Sequence, residues 1–226
     1  MDNISIFITH YTPLISRKAN IIKQMLEHNI SESIYKFIEI YDREDLIPSI
    51  NNNTTTPTTK LLSSFVGIKL SEISLFIKHI EIFKQCSSSS KYIVVLEDDA
   101  ILVNNFSQHL ITYINKLEML TESHIDWDIA FTGECCNLHI NHTTKNNIFY
   151  KSNTSRGTCM YILNIGICNK LLNIFNEETS NNNTINKPID HWFNQIQSKY
   201  NLKYLWSEPT LVSQGSETKL FTSSLR

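Results

Sequence analysis

Glycine is scarce in this chain, with 5 among 226 residues. Glycine-cradled phosphate sites need several glycines at fixed spacing, because backbone N–H groups must approach the phosphate closely. Neither G-x-x-x-x-G-K-[ST] nor G-x-G-x-x-G occurs, which argues against a P-loop nucleotidase and a Rossmann dinucleotide enzyme. G-x-S-x-G and H-E-x-x-H are absent too, so the sequence carries no hydrolase nucleophile elbow and no zincin helix. The 5 cysteines (Cys86, Cys135, Cys136, Cys159 and Cys168) include no C-x-x-C pair, and their odd number fits a reducing compartment better than a disulfide framework. Lysine and arginine total 20 against 22 acidic residues and are scattered rather than clustered, so nucleic acid is not an expected partner. No apolar run is long enough to span a bilayer, and Met1-Asp-Asn-Ile-Ser lacks a basic leader region. The expectation is a soluble, cytosolic protein with no transmembrane segment.

What is present is a 41% hydrophobic chain, enough for one well-buried core. Residues 4–9 and 35–41 read as strands, with an amphipathic helix over 16–28 between them carried by Ala19, Ile22, Met25 and Leu26. Residues 51–59 and 177–186 read as low-complexity surface loops, and 138–147 as another loop. A helix from Ser71, its candidate N-cap, shows Ile73, Phe76, Ile77, Ile80 and Phe83 on one face. Helices are expected over 106–120, from 166 and from 188, with strands over 127–132, 159–163 and 202–206. This alternation predicts one α/β domain over residues 1–226, with a mainly parallel sheet flanked by helices.

The most informative stretch is Tyr92-Ile-Val-Val-Leu-Glu-Asp-Asp-Ala100. Its apolar run lacks the polar positions of a half-exposed strand and reads as a strand buried on both faces. It stops at Glu97, Asp98 and Asp99. Residues i and i+2 share a strand face, so Glu97 and Asp99 are expected to point together beyond the sheet's carboxyl edge, where open α/β sheets bind ligands. Paired hard-oxygen ligands there suit a divalent cation whose shell phosphate oxygens complete. A solvated strand-to-loop corner would produce the same letters.

Other positions carry weaker signals. His10 and Arg17 flank the end of the first strand, where a nucleotide fits, although a solvated helix start is the plainer account of Arg17 taken alone. Glu72 is a first-turn acid of the kind the helix dipole favours. His79 lies in an apolar helix, where a histidine is more often buried and hydrogen-bonded than a ligand. Asp190 opens a helix and is a candidate general base. Trp192 beside it suits stacking on a sugar or core packing.

Several stretches, in order, resemble glycosyltransferase family 25, which includes lipooligosaccharide and procollagen galactosyltransferases. Ser16-Arg-Lys18 is similar to the family's helix start after its first strand. Lys69-Leu-Ser-Glu-Ile-Ser-Leu-Phe-Ile-Lys-His79 resembles G-E-I-G-C-x-x-S-H, matching at Glu72 and His79. Val94-Val-Leu-Glu-Asp-Asp-Ala100 resembles its acidic strand end, Trp127-Asp-Ile-Ala-Phe-Thr-Gly133 its next strand, Gly157-Thr-Cys-Met-Tyr161 its G-T-x-x-Y, and Pro188-Ile-Asp190 its P-[VI]-D. The sequence departs from the pattern at Ser71, Ser74, Leu75 and Lys78. The resemblance implies a GT-A-like fold and an inverting transfer of a hexose from a UDP-sugar to a glycan or glycoprotein hydroxyl. It also implies a divalent metal, usually Mn2+. On that reading Glu97 and Asp99 hold the metal and Asp190 is the base. Thr9, His10, Arg17, Glu72, His79, Glu97, Asp98 and Gln214 meet the nucleotide sugar, and the tail over 209–224 closes over it. The competing expectation is a non-catalytic nucleotide-sugar-binding protein with a degenerate GT-A fold. A nucleotidyl-transfer enzyme would want a second carboxylate cluster, which is not evident.

Overall fold

A computed structural model describes residues 3–51, 57–86, 90–140, 147–180 and 183–223. The elements in order are β1 (Ile4–Thr9), α1 (Ile15–Glu27), a short 3-10 turn (Glu32–Ile34), β2 (Tyr35–Ile38), α2 (Arg43–Asn51), α3 (Pro57–Leu62) and α4 (Leu70–Gln85). There follow β3 (Tyr92–Glu97), β4 (Ala100–Leu102), α5 (Phe106–Glu122), β5 (Ile129–Phe131), β6 (Phe149–Ser152) and β7 (Met160–Asn164). The last are α6 (Ile165–Thr179), α7 (Ile189–Lys199), β8 (Tyr204–Ser207) and β9 (Val212–Gln214).

Seven strands form one sheet in the order β2-β1-β3-β7-β5-β8-β6, and β4 pairs with β9 in a separate two-stranded sheet. β1, β2, β3, β5 and β8 point the same way, whereas β7 and β6 run against them. The mainly parallel α/β sheet flanked by helices is therefore present, with two reversed strands that composition does not announce. From β1 the chain goes to β2 on one side and β3 on the other. Such a reversal opens a crevice at the carboxyl ends of the two strands.

The apolar run of β3 divides by strict alternation. Tyr92, Val94 and Leu96 join Ile4, Ile6 and Ile8 under α1 and α5. Ile93 and Val95 join Phe7, Tyr161 and Phe131 under α4, α6 and α7. Each fully buried side chain of this size contributes roughly 1.5–3 kcal/mol. Both faces of the strand are filled, which is why it carries no polar alternation.

Local details differ from the sequence reading. α2 runs through Asn51 and α3 begins at Pro57, so only 52–56 of the expected loop lies outside the described residues. α6 reaches Thr179, and Ile185 bridges to Phe65 within the second expected loop. β6 follows the 138–147 stretch, of which 141–146 lie outside the described residues. α4 starts one residue before Ser71; its cap is Lys69, whose N–H donates to Glu72 Oε2 at 3.0 Å. Trp192 is buried and packs edge-on against Phe76, a core residue rather than a sugar platform.

Candidate active site

Side-chain alternation along β3 continues through the acidic triplet. Glu97 follows Ile93 and Val95 toward α4, while Asp98 follows Val94 and Leu96 toward α1. The strand ends at Glu97; Asp98 and Asp99 form the turn into β4. Glu97 and Asp99 thus reach one cavity through a turn, not through the i, i+2 spacing of a continuing strand.

Asp98 is held on three sides. Arg17 Nη1 donates to Oδ1 at 2.7 Å, His10 Nδ1 lies 2.8 Å from Oδ2, and the Tyr11 N–H donates to Oδ2 at 3.2 Å. Burial works against its ionisation, but the hydrogen bonds from His10 and Arg17 and the Arg17 charge outweigh it and hold the carboxyl below its usual range. Arg17 also donates to the Thr222 carbonyl and lies over the Phe221 ring. Its expected role as a loose cation for diphosphate meets a guanidinium already tied to Asp98 and the tail.

Lys78 is the other buried cation lining this crevice. It donates to Asp42 Oδ1 and to the His10 carbonyl. Asp42 also accepts from the Thr12 N–H at 3.1 Å. With Arg17 matched to Asp98 and Lys78 to Asp42, Glu97 and Asp99 are left over. Among the described residues Glu97 makes no ion pair, and the nearest cation to Asp99 is Arg17, 3.9 Å from Oδ2. Burial, then the Asp99 charge, push Glu97 up to about 8, against a hydrogen bond from Thr158. Burial also raises Asp99, against a hydrogen bond from the Ser216 N–H at 3.2 Å. Asp99 Oδ1 is buried without a hydrogen-bond partner. Two desolvated carboxylates and an orphaned oxygen suit a cation better than they suit each other. Their hard-oxygen donors fit a divalent ion such as Mg2+ or Mn2+.

Two cavities meet here. The first, about 580 Å³, lies in the crevice between β1 and β3. Thr9, His10, Arg17, Glu97, Asp98, Asp99 and Gln214 all line it, as do Tyr11, Arg43 and Lys78. The second, about 460 Å³, is lined by Glu72, Thr158 and Asp190 among others. Leu75, Glu97 and Gln214 belong to both walls. Reversal of β7 is what brings Thr158, just before that strand, to Glu97; a parallel strand would have carried it to the far edge.

Asp190, at the start of α7, is half-buried, and its carboxylate keeps 38% side-chain exposure. His79 lines neither cavity. It is fully buried on α4, stacked on Tyr161, with Nδ1 2.6 Å from the Tyr161 hydroxyl. Its position is that of the buried, hydrogen-bonded histidine weighed above. Gln214 ends β9, and the following Gly215 N–H donates to the Asp99 carbonyl at 2.8 Å. A Cβ on Gly215 would sit 2.7 Å from that carbonyl and 2.6 Å from Phe221, so the tail lies close over Asp99.

Sequence reasoning missed Tyr11, Arg43, Asp42 and Lys78. The Arg43 guanidinium lies 4.5 Å from the centre of the Tyr11 ring, and Arg43 Nε donates to the Tyr11 hydroxyl at 3.0 Å. The one signal in the sequence was Lys78 itself, which stands where the family pattern has serine.

Comparison with known proteins completes the assignment. The sequence model of glycosyltransferase family 25 (LPS biosynthesis protein) matches residues 3–193. Curated proteins give no match. Among solved structures, the chain is similar to a glycosyltransferase involved in the glycosylation of the major capsid of PBCV-1. That likeness has 10% identity, a TM-score of 0.48, and coverage of 98% of this chain and 96% of that one. It is also similar to S. aureus TarS 1-349, at 9% identity and a TM-score of 0.42, covering 96% of this chain and 62% of the other. These two likenesses are too distant to bear on mechanism. The family match spans most of the chain and includes the β1 crevice, the acidic turn and Asp190: the chain belongs to glycosyltransferase family 25 and is a glycosyltransferase.

Proposed function

We propose that this glycosyltransferase moves a hexose, galactose or glucose, from a UDP-sugar to a hydroxyl of a glycan or glycoprotein, with inversion and with a divalent metal. One observation carries the reading: two cavities share a wall at Glu97, which makes no ion pair among the described residues, and Asp99 lines the first of them with one carboxylate oxygen buried and without a hydrogen-bond partner. A one-step inversion needs donor and acceptor on opposite sides of the reacting carbon, and joined cavities supply two such sides.

On this reading the first cavity takes the nucleotide and diphosphate. Glu97 and Asp99 would hold the ion, whose chemistry when bound is Lewis-acid stabilisation of the departing diphosphate. Asp98, clamped by Arg17 and His10, would fix the turn that aims Asp99. Thr9 and His10 line the nucleotide side, and Tyr11 offers a ring face to a base. Asp190 lines the second cavity with an accessible carboxylate, suited to take the acceptor hydroxyl's proton. Glu72 stands in that same cavity and caps α4. His79 serves α4 packing.

A panel of nucleotide sugars with Mn2+, read for transfer to simple glycosides and for donor hydrolysis, tests the proposal. Turnover of a UDP-hexose supports it. Binding of a UDP-sugar without turnover of any donor would favour the non-catalytic alternative, and no binding of any nucleotide sugar would remove both.

A further inference from the structure

No C-x-x-C occurs in the chain, yet the fold assembles a different thiol cluster. The turn after β5 carries Cys135 and Cys136, with Cys136 and Asn137 both in the left-handed region at φ 55° and 51°. This turn places both sulfurs on one side, 3.3 Å apart. Glu217, 81 residues onward in the tail, reaches them. Its Oε1 lies 3.7 Å from Cys135 Sγ, and its two oxygens accept from the Cys136 N–H at 2.8 and 2.9 Å. One ligand atom from each of the three residues falls within 4.8 Å of the others.

Two chemistries compete for such a pair. Adjacent α-carbons lie about 3.8 Å apart across a trans peptide, short of the about 4.4–6.8 Å that disulfides prefer. A disulfide here would be strained. Tetrahedral zinc, with Zn–S of about 2.3 Å and Zn–O of about 2.0 Å, separates two sulfurs by about 3.8 Å and a sulfur from an oxygen by about 3.5 Å. The observed 3.3 and 3.7 Å need only small side-chain adjustment to reach that geometry. Soft thiolates select zinc-like ions over magnesium or manganese.

We infer that Cys135, Cys136 and Glu217 form a binding site for a thiophilic divalent cation such as Zn2+ or Cd2+, with one coordination position open. The site is distinct from the Glu97–Asp99 pair in ligands and in metal preference. Its place in the fold gives it a consequence. Cys135 lines the second cavity, and Glu217 belongs to the tail segment whose Gly215 and Ser216 hold Asp99. A bound cation would fasten that tail to the turn after β5.

Cadmium titration of the reduced protein, followed by the ultraviolet thiolate-to-cadmium absorption, tests this. One equivalent per chain is expected in the wild type. The band should be lost in Cys135→Ser and in Cys136→Ser, and Glu217→Gln should weaken affinity about 10-fold or more. Cys136 is exposed, so its serine variant should melt like the wild type and report on ligation alone. Asp99→Asn should keep the full band. Absence of the band in the wild type, or its survival in both cysteine variants through the buried Cys86 and Cys168, would overturn the inference. So would its loss in Asp99→Asn.

Discussion

At the residue scale the burial of polar groups sorts the chain's charges into those that hold the fold and those left for chemistry. Asp98 and Asp42 have cations at hydrogen-bond distance, whereas Glu97 makes no ion pair among the described residues and Asp99 meets Arg17 only at 3.9 Å. His79 belongs with the first group. Burial lowers its pKa from about 6.5 to about 3, so it is neutral when folded, and its Nε2 has no partner. The unfolded chain therefore binds more protons than the folded chain between those two values, and stability rises with pH across that window. The contribution is complete above about 6.5 and is lost as pH falls toward 3, by up to about 1.4 kcal/mol per pH unit. Urea unfolding at pH 7 and pH 5 should show a loss in the wild type that shrinks by about 2 kcal/mol in His79→Gln. Equal losses in the two proteins would mean that His79 carries no such linkage.

At the element scale, α4 and the tail shape the site. α4 presents Ser71, Ser74, Leu75 and Lys78 to the first cavity while its opposite face fills the core. The tail closes over the acidic turn through backbone groups: the Gly215 and Ser216 N–H groups bond Asp99, and the Thr222 carbonyl receives Arg17. Gly215→Ala would force its Cβ against the Asp99 carbonyl and Phe221. Overpacking of this kind costs about 1–3 kcal/mol. The strain falls on the tail, so the expected outcome is a higher KM for the donor together with faster proteolysis of the C-terminal segment. An unaltered KM would show that the tail does not shape the donor cavity.

Much of this was readable in the letters, and the remainder was not for definite reasons. The run from Ile93 to Leu96 announced a strand buried on both faces, and alternation carried through to the opposite directions of Glu97 and Asp98. Strand direction was not available, because the residues of β7 read alike either way. The position of Thr158 beside Glu97 depended on that direction. The partners of Lys78 and Arg17 lie 36 and 81 residues away, and Glu217 lies 81 residues from Cys136, beyond any local periodicity. The i, i+2 argument placed Glu97 and Asp99 together, although the backbone does so with a turn.

At the scale of the whole molecule, the sheet's switch point between β1 and β3 makes the first cavity, and the reversed β7 with α7 makes the second. Separate cavities predict separable effects. Asp190→Asn should leave UDP binding unchanged and lower the transfer rate by about 10²–10⁴-fold, the usual weight of a positioned base. Transfer near the wild-type rate would exclude Asp190 as that base.

Glu97, on the wall between these cavities, and Asp99, in the first of them, are the proposed diphosphate anchor. Calorimetric titration with UDP, with and without Mn2+, addresses them in the wild type and in Asp99→Asn. The amide keeps an oxygen to accept from the Ser216 N–H, so the tail should stay in place. The prediction is that Mn2+ strengthens UDP binding in the wild type, that this gain disappears in Asp99→Asn, and that metal-free binding is alike in the two proteins. An equal Mn2+-dependent gain in both would contradict the assignment of the acidic turn as the diphosphate anchor.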